Sequence, residues 1–322
     1  MIKSLRIENF KSIQSLRLDC RRINLFIGEP NTGKSNILEA IGFLSNNYYD
    51  GDFRRFVRFE NMTDIFYDHI LENKVNITFD EKTLEVTFKD GDFHGNYFEG
   101  KAQPSIIFQL GYEGTGGRSS PPVGFSQFKF YRFTIRKEFP NKQSEFLHVP
   151  DGDNLLAVIL GHKELRALIK QIFGRFGLSL VFEPHENRIK LQKQLEDIII
   201  AFPYSLASET LQRLVFYLTA IYSNQDSVLA FEEPEAHAFP YYTKYLAEMM
   251  ALDKNQNQYF ISTHNPYFLL SILEKTPKTE IAIFATRLEN YQTKVKALTE
   301  EEMKEVLEKG IDVFFDIERF IG

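Results

Sequence analysis

Residues 23–36, "INLFIGEPNTGKSN", compress a strand, a glycine turn and the start of a helix into one short stretch. Gly28 is followed by four residues and then by Gly33, Lys34 and Ser35, the spacing of a phosphate-binding loop. Ile23, Leu25, Phe26 and Ile27 suit a buried strand, while Ile37, Leu38, Ile41 and Leu44 recur at helical spacing. The glycines therefore fall at the strand-to-helix turn that such a loop needs. In that setting Gly33 lets the backbone approach a phosphate, the helix amides point at the anion, and Lys34 neutralises the outer phosphates. Ser35 is placed to hold magnesium. Such a unit commits the chain to an α/β fold, and leaves open which kind of nucleotide machine it serves.

The 322 residues include 31 Phe and are 43% apolar, enough for a substantial core in one large domain or two ordinary ones. A net charge of -6 argues against a broad nucleic-acid surface and leaves room for a local basic groove. The lone Cys20 rules out an intrachain disulfide and a cysteine-based zinc site. The opening "MIKSLRIENF" has no apolar run fit for a signal peptide, and no later stretch is long enough to span a bilayer. The expected location is the cytoplasm, with no membrane partner.

Ile2, Leu5 and Ile7, then Leu16 and Leu18, flank the turn-like "ENFKSIQS" and predict two strands before the loop strand. After the loop helix, Val75, Ile77 and Phe79, the turn "DEK", and Leu84, Val86 and Phe88 predict a β-hairpin. Further strands are expected over 95–112, and "EGTGGRSSPP" at 113–122 reads as a loop. Helical spacing returns at Leu155, Leu156, Ile159 and Leu160, with Asp153 the expected N-cap. "PHEN" at 184–187 separates two strand-like runs, and an apolar helix is expected from about Thr210 to Ile221. "SVLAF" and "YFIS" read as central strands of a parallel sheet, with "IAIFAT" and "YQTKVKAL" as later strands. Thr299 and Glu302 form a capping box for a last helix that Gly310 would close.

Both central runs end in reactive side chains. Val228 to Phe231 lead into Glu232 and Glu233, and parallel strands deliver their functional groups at their carboxyl ends. One acid can orient magnesium through water and the next can act as general base on an attacking water. The plain alternative is a buried strand surfacing in the acidic turn "EEPE". His264, in "STHNP", follows the second run and can donate to a γ-phosphate or to the attacking water.

In chain order, "LRIENFKSI", "INLFIGEPNTGKSN", "SLASETLQR", "LAFEEPEAHAFP" and "FISTHNPYFL" resemble the ABC-type ATPase heads of the SMC/RecF class. More narrowly, the chain is similar to the OLD-like ATPases of bacteria and archaea. The resemblance implies a P-loop NTPase core of the ABC ATPase type with a mixed sheet, built from 1–50 and 125–322, and an antiparallel β-rich lobe over 51–124. It implies ATP and Mg2+ as ligands and a homodimer closed around ATP. Lys11 and Ser12 then face the base and ribose, and Asn31, Thr32, Gly33, Lys34, Ser35 and Asn36 hold the phosphates. Ser35 and Glu232 serve magnesium, Glu233 is the catalytic base, and His264 is the switch histidine. Pro234 to His237 match the loop that crosses to a partner subunit, and Gln127 is the one candidate for the linking glutamine.

The chain also departs from that pattern. The signature segment, approximately Leu-Ser-Gly-Gly in the family, is Leu206-Ala207-Ser208-Glu209 here. Ala207 forfeits a hydroxyl contact to a charged group, a loss of roughly 1.5–3 kcal/mol. A carboxylate at Glu209, at about 5 Å from a phosphate, would repel it by roughly 3 kcal/mol per unit charge at an effective dielectric of 20. Ser208 can serve as a donor, and an acid in a first helical turn is stabilising without any ligand. The expectation is slow or conditional ATP hydrolysis, with a nucleotide-binding regulatory scaffold as the alternative.

Residues 51–200 show no sustained heptads, and too little chain follows His264 for a Toprim domain. A compact head is expected, with any nuclease or effector a separate protein, in DNA maintenance or phage defence. "FRRFVRF" at 53–59 and "FKFYRFTIRK" at 128–137 interleave basic and aromatic residues. They read either as a DNA grip or as an amphipathic strand and a half-buried core strand with snorkelling arginines.

Overall fold

The computed structural model describes residues 1–49, 51–100, 102–119, 122–309 and 314–321. The chain begins with β1 (Ser4–Phe10), β2 (Ile13–Asp19), β3 (Ile23–Gly28) and α1 (Lys34–Tyr49). Next come β4 (Val75–Phe79), β5 (Lys82–Lys89), β6 (Asp92–Glu99), β7 (Ser105–Leu110), β8 (Gly116–Arg118) and β9 (Phe128–Tyr131). The middle holds α2 (Leu155–Gly161), α3 (Lys163–Gly174), β10 (Ser179–Glu183), β11 (Arg188–Leu195), β12 (Ile198–Pro203) and α4 (Glu209–Ser223). Then follow β13 (Val228–Glu232), α5 (Pro240–Ala251), β14 (Gln258–Ser262), α6 (Pro266–Lys275), β15 (Ile281–Glu289), β16 (Gln292–Ala297), α7 (Glu300–Lys309) and α8 (Ile317–Ile321).

Residues buried on both faces make the central sheet. Its order is β16-β15-β3-β14-β13-β9, parallel from β15 through β9 and closed by antiparallel β16, so the sheet is mixed as expected. β3 and β14 are buried at every position, which is why both read as unbroken apolar runs. Phe26 stacks on Phe260 and on Phe284 across them, at ring distances of 6.3 and 5.3 Å.

Alternating residues make the second sheet, with order β2-β1-β4-β5-β6-β7-β8. β1 joins it through Leu5 opposite Phe79 and Ile7 opposite Ile77, so this antiparallel lobe draws strands from both sides of residue 50. The predicted hairpin is β4 and β5, turning at Asp80 with φ of 52°. The 113–122 stretch is not wholly loop: Gly116–Arg118 pairs with β7 as an edge strand. Arg118 is the anchor there, stacking over Phe53 and donating to Gly51 O at 3.0 Å.

A third sheet, β10-β11-β12, contains a strand that the sequence did not announce. Ile198, Ile199 and Ile200 are 66%, 63% and 42% exposed, so β12 carries no inside-outside period to read. Two further expectations are corrected. α2 is preceded by Asn154, and Asp153 instead bonds His148 Nδ1 at 2.9 Å. The 53–59 stretch is not a strand: Phe53–Arg55 form a short turn of 3₁₀ helix, which Asp52 caps by accepting from Arg54 N at 3.0 Å. The capping box of the last long helix forms, with Thr299 N donating to Glu302 at 2.7 Å and Glu302 N to Thr299 at 3.2 Å. Gly310 lies outside the described residues. Among the described residues no helix is long and apolar enough to cross a membrane.

Candidate nucleotide site

The carboxyl ends of β3, β13 and β14 open on one hollow of about 530 Å³. Its lining includes Ser12, Asn31, Thr32, Gly33, Lys34, Ser35 and Asn36, together with Glu233 and His264. Parallel strands and the start of α1 dictate this convergence, because the helix begins at Lys34 and aims its free amides at the hollow. Seven of the expected nucleotide ligands and both expected catalytic groups thus meet in one place. Lys11, Ser208 and Glu232 do not line it.

The loop is held from the far end of the sequence. Gly33 has φ of +92°, and a Cβ there would stand 1.9 Å from Thr293 Oγ1. Gly28 is equally confined, with Thr286 Oγ1 2.3 Å from its would-be Cβ. Thr32 Oγ1 donates to Glu29 O at 2.8 Å and lies 2.7 Å from Thr286 Oγ1. Ser12 Oγ accepts from Asn36 Nδ2 at 2.7 Å and lies 2.7 Å from Thr293 Oγ1. Thr286 and Thr293, on β15 and β16, were invisible as site residues because nothing in their local sequence marks them.

Lys34 Nζ donates to Gly28 O at 2.9 Å and Glu29 O at 2.7 Å. Burial lowers its pKa to about 8, against the opposing influence of Glu233 and Glu29. Glu233 has a left-handed φ of 43°, an unfavourable conformation for this residue that turns its carboxylate into the hollow. His264 Nε2 stands 3.3 Å from Glu233 Oε1. Desolvation, and then Lys34, lower the histidine pKa below its ordinary value, while Glu233 opposes the shift.

Beside the hollow lies a charge cluster built on Glu39 of α1, a carboxylate with no exposed side-chain surface. It pairs with Lys11 Nζ, with Arg58 Nε at 2.5 Å and with Arg132 at 3.4 Å. Lys11 therefore meets a carboxylate, and desolvation lowers its pKa. Glu232 completes the cluster, facing Arg132 at 3.4 Å and Arg58 at 3.8 Å. Arg58 also reaches the hollow. Gln127 is displaced from its expected role: it precedes β9 at the end away from the loop and bonds Gly124 O at 3.0 Å. The residue that follows β9 on the loop side is Arg132. The basic residues of 53–59 are likewise paired internally, Arg54 with Glu113 at 2.7 Å and Arg55 with Asp151 at 2.8 Å.

The signature segment lies elsewhere. Ser208 is the N-cap of α4, accepting from Leu211 N at 3.4 Å, and lines an apolar groove with Leu206, Phe239 and Tyr241. Glu209 turns back to Arg213 at 2.8 Å, and that hydrogen bond holds its carboxyl below the usual range. Thr210 Oγ1 donates to His237 O at 2.7 Å, tying α4 to the loop after β13.

A family profile for the AAA ATPase domain matches residues 1–175. The chain belongs to the AAA ATPase domain family. This ATPase domain is also similar to an ATP/GTP phosphatase of Helicobacter pylori, at 44% identity over 45 residues. That match spans 14% of this chain and 12% of the relative, so the chain matches only a small part of its length. Among solved structures, an SmcHead bound to the C-winged helix domain of ScpA is similar with a TM-score of 0.55 at 16% identity, over 93% of this chain and 98% of that one. An Smc head domain with an extended coiled coil, bound to the C-terminal domain of ScpA derived from Pyrococcus furiosus, gives 0.53 at 13% identity, over 96% and 98%. At such identities the likeness speaks for the fold, which is that of an SMC head.

Among the described residues no three His, Cys, Asp or Glu side chains gather as a metal cage. Ser35 in the hollow and a carboxylate nearby suit magnesium, an ion that takes few protein ligands and completes its shell with water and nucleotide phosphates.

Proposed function

We propose that this ATPase domain binds ATP with magnesium in the loop hollow and hydrolyses it. The single observation that supports the reading is the meeting of Lys34, Glu233 and His264 at the lip of one phosphate loop. Asn31 to Asn36 and Lys34 would hold the phosphates, and Ser12 the ribose side. Ser35 would ligate the ion directly and Glu232 would act on it through water, the ion supplying charge neutralisation for the transferred phosphoryl group. Glu233 would take the proton of the attacking water, while His264 would donate to the γ-phosphate.

A second copy would complete the site. Ser208, Ala207 and the exposed apolar groove around Leu206 and Phe239 stand apart from the copy's own loop, as a surface contributed to another chain's nucleotide would. The Glu209–Arg213 pair answers the repulsion expected from that acid, and favours slow turnover over a scaffold that never hydrolyses. The closed state would be read by a separate effector or nuclease, as the Smc heads of similar fold are bound to ScpA domains. A cytoplasmic role in DNA maintenance or phage defence fits this reading.

The test is Glu233→Gln. Phosphate release should fall at least about 100-fold while ATP is still bound, and mass measurement in solution should show the variant doubling in mass on adding ATP and magnesium. Unchanged turnover would remove Glu233 from the chemistry, and a mass indifferent to ATP would remove the nucleotide-closed dimer.

A further inference from the structure

The loop after β13 contains an acid with no place in the chemistry above. Glu235 is 4% exposed. One of its carboxyl oxygens accepts from Thr263 Oγ1, while Oε2 has no hydrogen-bond partner. Ser262 Oγ, next to Thr263 at the end of β14, is buried without a partner too. Burial pushes the Glu235 carboxyl up to about 7, although Thr263 and nearby backbone amides, His264 among them, favour its charge. A buried acid kept with one oxygen unsatisfied costs stability, so its retention points to a task.

Its position suggests which task. Glu235 is two residues from Glu233, and Thr263 is adjacent to His264. The bond between them is thus a cross-tie between the two strand ends that carry the hydrolytic pair. Glu233 N donates to Ser262 O at 3.1 Å, a second tie at the same level. Both ends of the loop carry left-handed residues, Glu233 at φ of 43° and His237 at 59°, so the loop is held in a conformation it would not take by itself. Its far end is held by Thr210 of α4 through His237 O.

We infer that Glu235 is a positioning residue: bonded to Thr263, it locks the loop bearing Glu233 to the strand end bearing His264, so that base and histidine reach the nucleotide as one unit. The inference rests on the hydrolytic reading of Glu233 and His264. It differs from a merely structural role in what it spares, because nucleotide is held by the phosphate loop and not by this tie.

Steady-state ATP hydrolysis and ATP titration should be measured for the wild type, Glu235→Gln, Glu235→Ala, Thr263→Val and the Ala–Val double variant. Glu235→Gln can still accept from Thr263 and should keep kcat within about threefold. Glu235→Ala and Thr263→Val should each lose at least about tenfold in kcat with KM changed less than about twofold, and the double should be no worse than the poorer single. Thr263→Val removes one hydroxyl while keeping the side-chain shape, so it decides the matter if the alanine variant does not fold. Undiminished kcat in Thr263→Val, a loss confined to KM, losses that multiply in the double, or a Gln variant as poor as Ala would each overturn the inference. If the wild type shows no turnover that Glu233→Gln abolishes, the hydrolytic reading falls and takes this one with it; if that turnover is present, failure here is separate.

Discussion

Gly33 is where a single atom decides whether the loop forms. A methyl group at this position meets Thr293 Oγ1 at 1.9 Å and must adopt a φ of +92°. Gly33→Ala should therefore weaken ATP binding at least about tenfold and lower stability by roughly 1–3 kcal/mol, read by titration and by denaturant unfolding. Lys34 yields a prediction in pH. Its ammonium is lost as pH rises through about 8 in the free protein, whereas phosphate binding needs the charged form. Affinity for ATP should hold below that pH and fall by up to about tenfold per unit above it, with a proton taken up on binding. Calorimetric titrations in buffers of different ionisation enthalpy between pH 7 and 9 would show it. A pH-independent affinity would mean that burial does not weaken this ammonium.

At the scale of elements, α1 does two jobs within its first two turns. Its start faces the loop hollow, and one turn on it presents Glu39 to Lys11, Arg58 and Arg132. Glu39→Ala would leave Lys11, only 12% exposed, beside two arginines without their shared acid. Breaking such a buried network from one side should cost about 3–5 kcal/mol, visible as a lower denaturant midpoint with an unchanged slope. This cluster also marks what a linear reading can reach. β3, β13 and β14 were legible because burial on both faces leaves an unbroken apolar run, and the loop, Glu233 and His264 were legible because each sits at the end of such a run. Arg132 was legible as an arginine after aromatics but not as the neighbour of Glu232, since that contact exists only once β9 pairs with β13. β12 was illegible for the opposite reason: with both faces exposed at Ile198 and Ile199, no burial pattern was there to read.

On the scale of the whole molecule, the central sheet is assembled out of chain order. β3 lies between β14 and β15, whose residues begin at Gln258 and Ile281. A fragment ending at residue 175 would hold the phosphate loop and the span matched by the family profile, yet lack both neighbours of β3. We expect it to be soluble only with a carrier and to show neither cooperative unfolding nor ATP binding, checked by circular dichroism and titration. A folded, ATP-binding fragment would show that the antiparallel lobe alone supports the loop. The same topology sets a schedule for the living cell. At about 5–20 residues per second, a ribosome needs roughly 10–50 seconds after finishing β3 to deliver β14. Through that interval an apolar strand waits without a partner, and the newborn chain depends on whatever shelters it until its last fifth arrives.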